Sequence, residues 1–170
     1  TFTNTTNNSN GIGPVTYLWD FGDGNTSTAT NPVHTYTAGG TYGVVLTATN
    51  TCGNAVVTQA VTIVLPPTAA FSADVTSGCA PLSVTFNNQS TGATSYNWSL
   101  PGGTPSSSTA QNPTVQYNAA GTYNVTLIVT NSAGSDTLTQ TNYITVITVP
   151  SAGFTSTTNG FLASFTNTST

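Results

Sequence analysis

After the triplet Gly40-Thr41-Tyr42, apolar residues recur at every second position, as Tyr42, Val44, Leu46 and Ala48, with small or polar residues on the opposite phase. The same alternation follows Gly121-Thr122-Tyr123, as Tyr123, Val125, Leu127 and Val129. Successive side chains of a β-strand point to opposite faces, so this period predicts a strand with one buried face. The runs Asn50-Thr51-Cys52-Gly53-Asn54 and Asn131-Ser132-Ala133-Gly134-Ser135 come next, and each leads into a second apolar stretch ending in Val61-Thr62-Ile63-Val64 or Ile144-Thr145-Val146. Two such stretches around a glycine-containing turn predict a hairpin. No segment carries a 3.6-residue period, the chain has no lysine, and its four acidic residues are all aspartate, so strong helix formers are scarce. The expected fold class is all-β.

The alternation is duplicated along the whole chain. Trp19 and Trp98 lie 79 residues apart, while Asn31-Pro32 and Asn112-Pro113, like the two Gly-Thr-Tyr triplets, lie 81 apart. Phe71 and Phe154 lie 83 apart. A spacing that drifts by a few residues over several landmarks marks duplicated domains with small insertions. Thr1-Phe2-Thr3-Asn4, Thr85-Phe86-Asn87-Asn88 and Ser164-Phe165-Thr166-Asn167 look like one strand met three times. This predicts a unit at 1–65 lacking its first strand, a complete unit at 68–147, and the start of a third at 150–170, within a longer array. The boundaries fall at Leu65-Pro66-Pro67 and Val149-Pro150, where proline stiffens short links.

Composition narrows the partners. Only 2% of the 170 residues are charged and Lys+Arg is 0, so nothing is available to neutralise phosphate, and neither nucleic acid nor an anionic membrane surface is expected as a partner. No apolar run approaches the length of a membrane span, so no membrane insertion is expected in this segment. The hydrophobic share of 36%, rich in Val, Tyr, Phe and Trp, argues against disorder.

The run Tyr17-Leu18-Trp19-Asp20-Phe21-Gly22-Asp23-Gly24, then Asn31-Pro32-Val33-His34-Thr35-Tyr36, then Gly40-Thr41-Tyr42, resembles the signature of the PKD family. The second unit keeps Trp98, Asn112-Pro113, Tyr117 and Gly121-Thr122-Tyr123, but reads Trp98-Ser99-Leu100-Pro101-Gly102-Gly103 where the first has its aspartates, and Val115 where the first has His34. The resemblance implies tandem Ig-like β-sandwiches of the PKD type throughout. It also implies the family's usual settings: repeat segments of large bacterial adhesins or filaments, including those of Bacteroidetes-type gliding bacteria, and accessory modules beside secreted hydrolases.

The candidate chemistry is sparse. Asp20 and Asp23 share one turn and are weak calcium candidates, set against a turn-stabilising role, because a calcium site takes about 6–8 oxygen ligands. His34 is the single histidine, and with no nucleophile elbow beside it a structural role on a strand is expected. Trp19, Trp98, Tyr36, Tyr117, Tyr42 and Tyr123 are read as structural, the tryptophans as core anchors rather than ligand-stacking platforms. Tyr17, Tyr96 and Tyr143 are the candidates for an exposed aromatic strip. Cys52 and Cys79 are expected not to bridge to each other, and Asp136-Thr137-Leu138 matches a short O-glycosylation motif.

No catalytic group and no cofactor is expected. The leading expectation is a structural and adhesive repeat segment of a secreted or cell-surface protein, forming a rod or filament. Its partners would be neighbouring repeats, copies of itself, and surface glycans or host and substratum surfaces. The alternative is a carbohydrate- or protein-binding accessory module of a secreted hydrolase. Val45 and Ile128, read as aligned apolar residues on the outward face, are the candidate self-association positions against the plainer reading of tolerated surface residues.

Overall fold

The computed structural model describes residues 1–6 and 14–170, and fifteen strands with no helix account for the regular structure of those residues. The chain divides into two compact units, Thr1–Leu65 and Pro66–Thr170.

In the first unit, β1 (Thr16–Asp20), β2 (Thr26–Ser27), β3 (Gly40–Asn50) and β4 (Gly53–Ile63) form one antiparallel sheet in the order β2-β1-β3-β4. The alternating residues of β3 turn Val44, Leu46 and Ala48 inward, and Trp19 of β1 stands beside Leu46. Trp19, Phe21, Val44 and Leu46 make the core, with Phe2, Tyr17, Tyr36 and Val61 packed against it.

In the second unit the strands are β5 (Phe71–Ala73), β6 (Ser77–Cys79), β7 (Leu82–Asn88), β8 (Ser95–Ser99), β9 (Gly103–Thr104), β10 (Ser107–Ser108), β11 (Thr114–Tyr117), β12 (Gly121–Asn131) and β13 (Gly134–Ile147). They form a five-stranded sheet, β10-β8-β12-β13-β6, and a four-stranded sheet, β5-β7-β11-β9. The inner faces meet in a core that includes Phe86, Trp98, Leu100, Val115, Tyr117 and Leu127. This is an Ig-like β-sandwich. A separate two-stranded sheet, β14 (Phe154–Asn159) with β15 (Leu162–Asn167), follows.

Strand register corrects one reading of the sequence. Trp19 lies opposite Leu46 and Asp20 opposite Val45, while Trp98 lies opposite Leu127 and Ser99 opposite Thr126. Val45 therefore corresponds to Thr126, and Ile128 to Thr47, so Val45 and Ile128 are not aligned sites. The cause is a bulge. Val125 pairs with Gln140 and Tyr123 with Ile144, whereas Val44 pairs with Gln59 and Tyr42 with Val61, so two extra residues enter β13 around Asn142. Asn142 takes a φ of 53°, and its N–H donates to Asn124 Oδ1 at 2.8 Å. The repeat offset is 81 from Asn31-Pro32 up to the bulge and 83 after it, and β12 lies before it. Val45 is half-buried and Ile128 is 37% exposed.

Candidate functional site

The residues with the most side-chain chemistry lie in the turn that ends β1. Asp20 Oδ1 accepts from the Gly22 N–H at 2.9 Å, the Phe21 N–H donates to the Asn25 carbonyl at 3.1 Å, and Asp23 Oδ1 accepts from the Asn25 N–H at 3.1 Å. Gly22 takes a φ of 77°, and a Cβ there would stand 2.8 Å from the Gly43 carbonyl oxygen, so both backbone conformation and space require glycine. The second oxygen of Asp23 pairs with His34 Nε2 at 2.7 Å. His34 stacks on Phe21 with centroids 4.2 Å apart and planes at 5°, and Tyr36 makes a T-shaped contact with the imidazole at 4.6 Å. The Tyr36 hydroxyl donates to the Phe21 carbonyl at 3.0 Å, which returns this cluster to the turn.

His34 lies outside any strand, which corrects the expectation of a strand position. Its counterpart Val115 is in β11, held by the ladder to β7. Withdrawal from solvent pushes the Asp23 carboxyl up, but the bonds from the His34 ring and from Asn25 outweigh it and hold the group below its ordinary value. Burial, with Asp23 and Tyr42 nearby, pushes the Tyr36 phenol up. One oxygen of Asp20 and both oxygens of Asp23 are thus engaged by the loop and by His34. Among the described residues no three of His, Cys, Asp and Glu converge on a common point.

In the second unit the same place is apolar. Leu100 and Val115 are buried at the positions of Phe21 and His34, and the Leu100 N–H donates to the Ser106 carbonyl at 2.8 Å. A Cβ on Gly102 would strike the Tyr123 ring and one on Gly103 the Val115 side chain, so the two glycines make room for the residues that fill this corner. Tyr117 is fully buried and its hydroxyl has no hydrogen-bond partner among the described residues. Burial pushes that phenol up to about 12.

The remaining landmarks are clamps, and both units carry them. The Trp19 indole N–H donates to the Ala29 carbonyl at 3.1 Å, and Trp98 does the same to Ala110 at 2.9 Å. Ser27 Oγ accepts from the Ala29 N–H and Ser108 Oγ from the Ala110 N–H, which holds each receiving loop in shape. Asn31 Oδ1 accepts from the Asn4 N–H and Asn112 Oδ1 from the Asn88 N–H, both at 2.8 Å. Tyr42 donates to the Ala38 carbonyl and Tyr123 to that of Ala119. Asn50 and Asn131 accept from Cys52 and Ala133 across the hairpin turns. The asparagine clamps were visible in the sequence only as landmarks; the signal was Asn-Pro recurring at one place in each repeat.

The other candidates disperse. Tyr17 packs on the first core, and Tyr96 and Tyr143 on the second. The Tyr143 hydroxyl accepts from the Ala73 N–H at 3.0 Å. Cys52, in the β3–β4 turn, and Cys79, at the end of β6, are both exposed thiols. Asp136 Oδ2 accepts from the Ala69 N–H at 2.8 Å, so this carboxylate ties the entry of the second unit to the start of β13.

Fold and site together define a protein of repeated all-β units, the second of them a β-sandwich, whose signature residues hold turns and loops in place. The model of the PKD domain family matches residues 1–65 and 64–146, and the chain belongs to that family. Among curated relatives, collagenase ColQ1 of Bacillus cereus is 66% identical over 32 residues, covering 19% of this chain and 3% of that protein. Pre-pro-metalloprotease PrtV of Vibrio cholerae is 49% identical over 51 residues, covering 30% of this chain and 5% of that protein. The chain thus spans a small fraction of these relatives. A solution NMR structure from Methanosarcina mazei is 40% identical, covers 46% of this chain and 52% of that one, and has a TM-score of 0.37. The amphioxus IgVJ-C2 molecule is 10% identical, covers 84% and 94% respectively, and has a TM-score of 0.47.

Proposed function

We propose that this chain is a non-catalytic structural repeat segment, a spacer of stacked sandwiches within a larger extracellular or cell-surface protein, with an adhesive role for the array as a whole. The observation that carries the reading is the duplicated clamp set. Trp19 and Trp98, Asn31 and Asn112, and Tyr42 and Tyr123 place their polar atoms in the same internal bonds, so the informative positions of both units go into rigidity. A chain with a net charge of −4 and no basic residue has little like-charge repulsion to overcome when it packs beside neighbouring repeats or other copies. The test is binding of the purified chain to insoluble collagen and to a panel of polysaccharides. The spacer reading expects no saturable binding; a dissociation constant tighter than about 10 μM at a defined site overturns it.

The second reading is an accessory module of a hydrolase. It is favoured by the matches to two proteins named as a collagenase and a metalloprotease. That reading expects saturable binding to the substrate of the enzyme that carries the module.

A further inference from the structure

Two familiar covalent cross-links are closed to each unit. The chain has two cysteines, one in each unit, and no lysine, so neither unit can form an internal disulfide or a lysine-derived amide bridge. What each unit does hold is a pair of tyrosines in ring contact. Tyr36 and Tyr42 stack with centroids 4.2 Å apart and planes at 27°, and Tyr117 and Tyr123 lie at 4.8 Å and 33°. Among the described residues no other two of the seven tyrosines make a ring contact.

The first pair is held from both sides. The Tyr36 hydroxyl donates to the Phe21 carbonyl and the Tyr42 hydroxyl to the Ala38 carbonyl, both at 3.0 Å. Tyr42 opens β3, and the bend at Thr37-Ala38 folds Tyr36 back over its ring. Stacking of this kind brings the π-faces of two phenols within reach of each other before any reaction begins. Tyr42 is half-buried and its hydroxyl bond lies at the surface, so an oxidant in solution can meet the pair there.

We propose that Tyr36 and Tyr42 are a dityrosine site, at which one-electron oxidation joins the two rings by a carbon–carbon bond ortho to their hydroxyls. The oxidant is an external one-electron acceptor, such as a peroxidase that consumes hydrogen peroxide. Each phenol gives up one electron and its hydroxyl proton and becomes a phenoxyl radical. The two radicals couple at facing ortho carbons, and the hydrogen on each of those carbons is exchanged for one on the ring oxygen, which restores both phenols. Two electrons and two protons leave in all, and they reduce one hydrogen peroxide to two waters.

The first pair suits this chemistry better than the second. A phenol that loses an electron becomes a strong acid, and its proton needs an acceptor within hydrogen-bond reach. Tyr36 has one in the Phe21 carbonyl, and the negative Asp23 carboxylate lies near enough to favour the loss of an electron from the ring. Tyr117 is fully buried, its hydroxyl has no partner among the described residues, and no aspartate stands in the turn beside it. The bridge fastens the segment that carries Tyr36 to the start of β3. This goes beyond the spacer reading and does not rest on it, since an accessory module would carry the same pair.

The test uses the whole chain with Cys52 and Cys79 capped by alkylation, which keeps thiol oxidation out of the readout. Dilute protein treated with a peroxidase and hydrogen peroxide should gain dityrosine fluorescence in the monomer fraction. Its intact mass should fall by two hydrogens, and a peptic digest should contain Tyr36 joined to Tyr42. Tyr42→Phe, which keeps the ring, should abolish the bridge, and Tyr123→Phe should leave it unchanged. A photochemical one-electron oxidant, which also works in urea, should give about tenfold less bridge in the unfolded chain, because the stack and not the short spacing aligns the rings. No bridge in the folded chain, a yield that unfolding does not lower, or dityrosine found only between copies overturns the proposal. An equal yield at Tyr117 and Tyr123 overturns the assignment to the first unit.

Discussion

Tyr36 and Tyr117 occupy corresponding positions, and the structure gives their hydroxyls opposite fates. That of Tyr36 donates to the Phe21 carbonyl at 3.0 Å; that of Tyr117 is buried with no partner among the described residues. Deleting the oxygen should therefore change stability with opposite signs. Tyr36→Phe removes a made bond and leaves the Phe21 carbonyl one donor short, costing about 0.5–1.5 kcal/mol. Tyr117→Phe removes a polar group whose unsatisfied burial costs about 1–3 kcal/mol, so the second unit should gain about 1 kcal/mol or more. The assay is residue-resolved amide exchange on the whole chain, read in β3 for the first unit and in β12 for the second. Faster exchange in β3 with Tyr36→Phe and slower exchange in β12 with Tyr117→Phe is the expected pair. Loss of stability in Tyr117→Phe would refute the reasoning, because it would mean that the hydroxyl is hydrogen-bonded in the folded unit.

Trp98→Ala should cost the second unit ~3–5 kcal/mol and Trp19→Ala a similar amount in the first, since both rings are buried in their cores; wild-type stability of either variant by denaturant titration would contradict the core role. The Asp23 carboxyl is held below its ordinary value in the folded state, so its contribution is present above the unfolded value near ~4 and is lost as pH falls through the lower folded one. Melting of the first unit between about pH 6 and 2 should show this loss, and Asp23→Asn should flatten it; an unchanged slope would show that the His34 pair is not its source. EDTA should leave the melting temperature unmoved, since the turn carboxylates already bond their own loop, and a fall of about ten degrees would reveal a bound cation.

Much of the fold was legible because it rests on period-two burial, which a sequence displays directly. Val44, Leu46 and Ala48 turn inward as their alternation requires, and Trp19 and Trp98 are buried beside Leu46 and Leu127. What was not legible depends on long-range register. The bulge at Asn142 changes the offset between repeats from 81 to 83, and a drift in spacing does not say where the extra residues enter. Aligning Val45 with Ile128 applied the later offset to a strand that precedes the bulge. The His34 stack was hidden for a different reason. Phe21, His34 and Tyr36 form one contact only through the fold, and residue type alone did not separate an imidazole stacked against a turn from one on a strand.

The two units hold the segment that carries Tyr36 or Tyr117 in different ways. In the second, Thr114–Tyr117 is fixed on both sides, by β7 and by β9, and an apolar Val115 suffices to seat it. In the first unit the corresponding segment, residues 33–36, forms no strand. One backbone bond, from the Phe2 N–H to the Pro32 carbonyl, matches the bond from Phe86 to Pro113. Side chains add to it: Asp23 bonds His34, Phe21 stacks on its ring, Tyr36 meets it at a steep angle, and the Tyr36 hydroxyl ties back to the turn. A hydrogen-bonded ladder in one unit and a tethered aromatic stack in the other thus solve one problem, the attachment of this segment to the sandwich. On that account Asp23 and His34 are a local fastening of the turn after β1 to the segment that carries Tyr36.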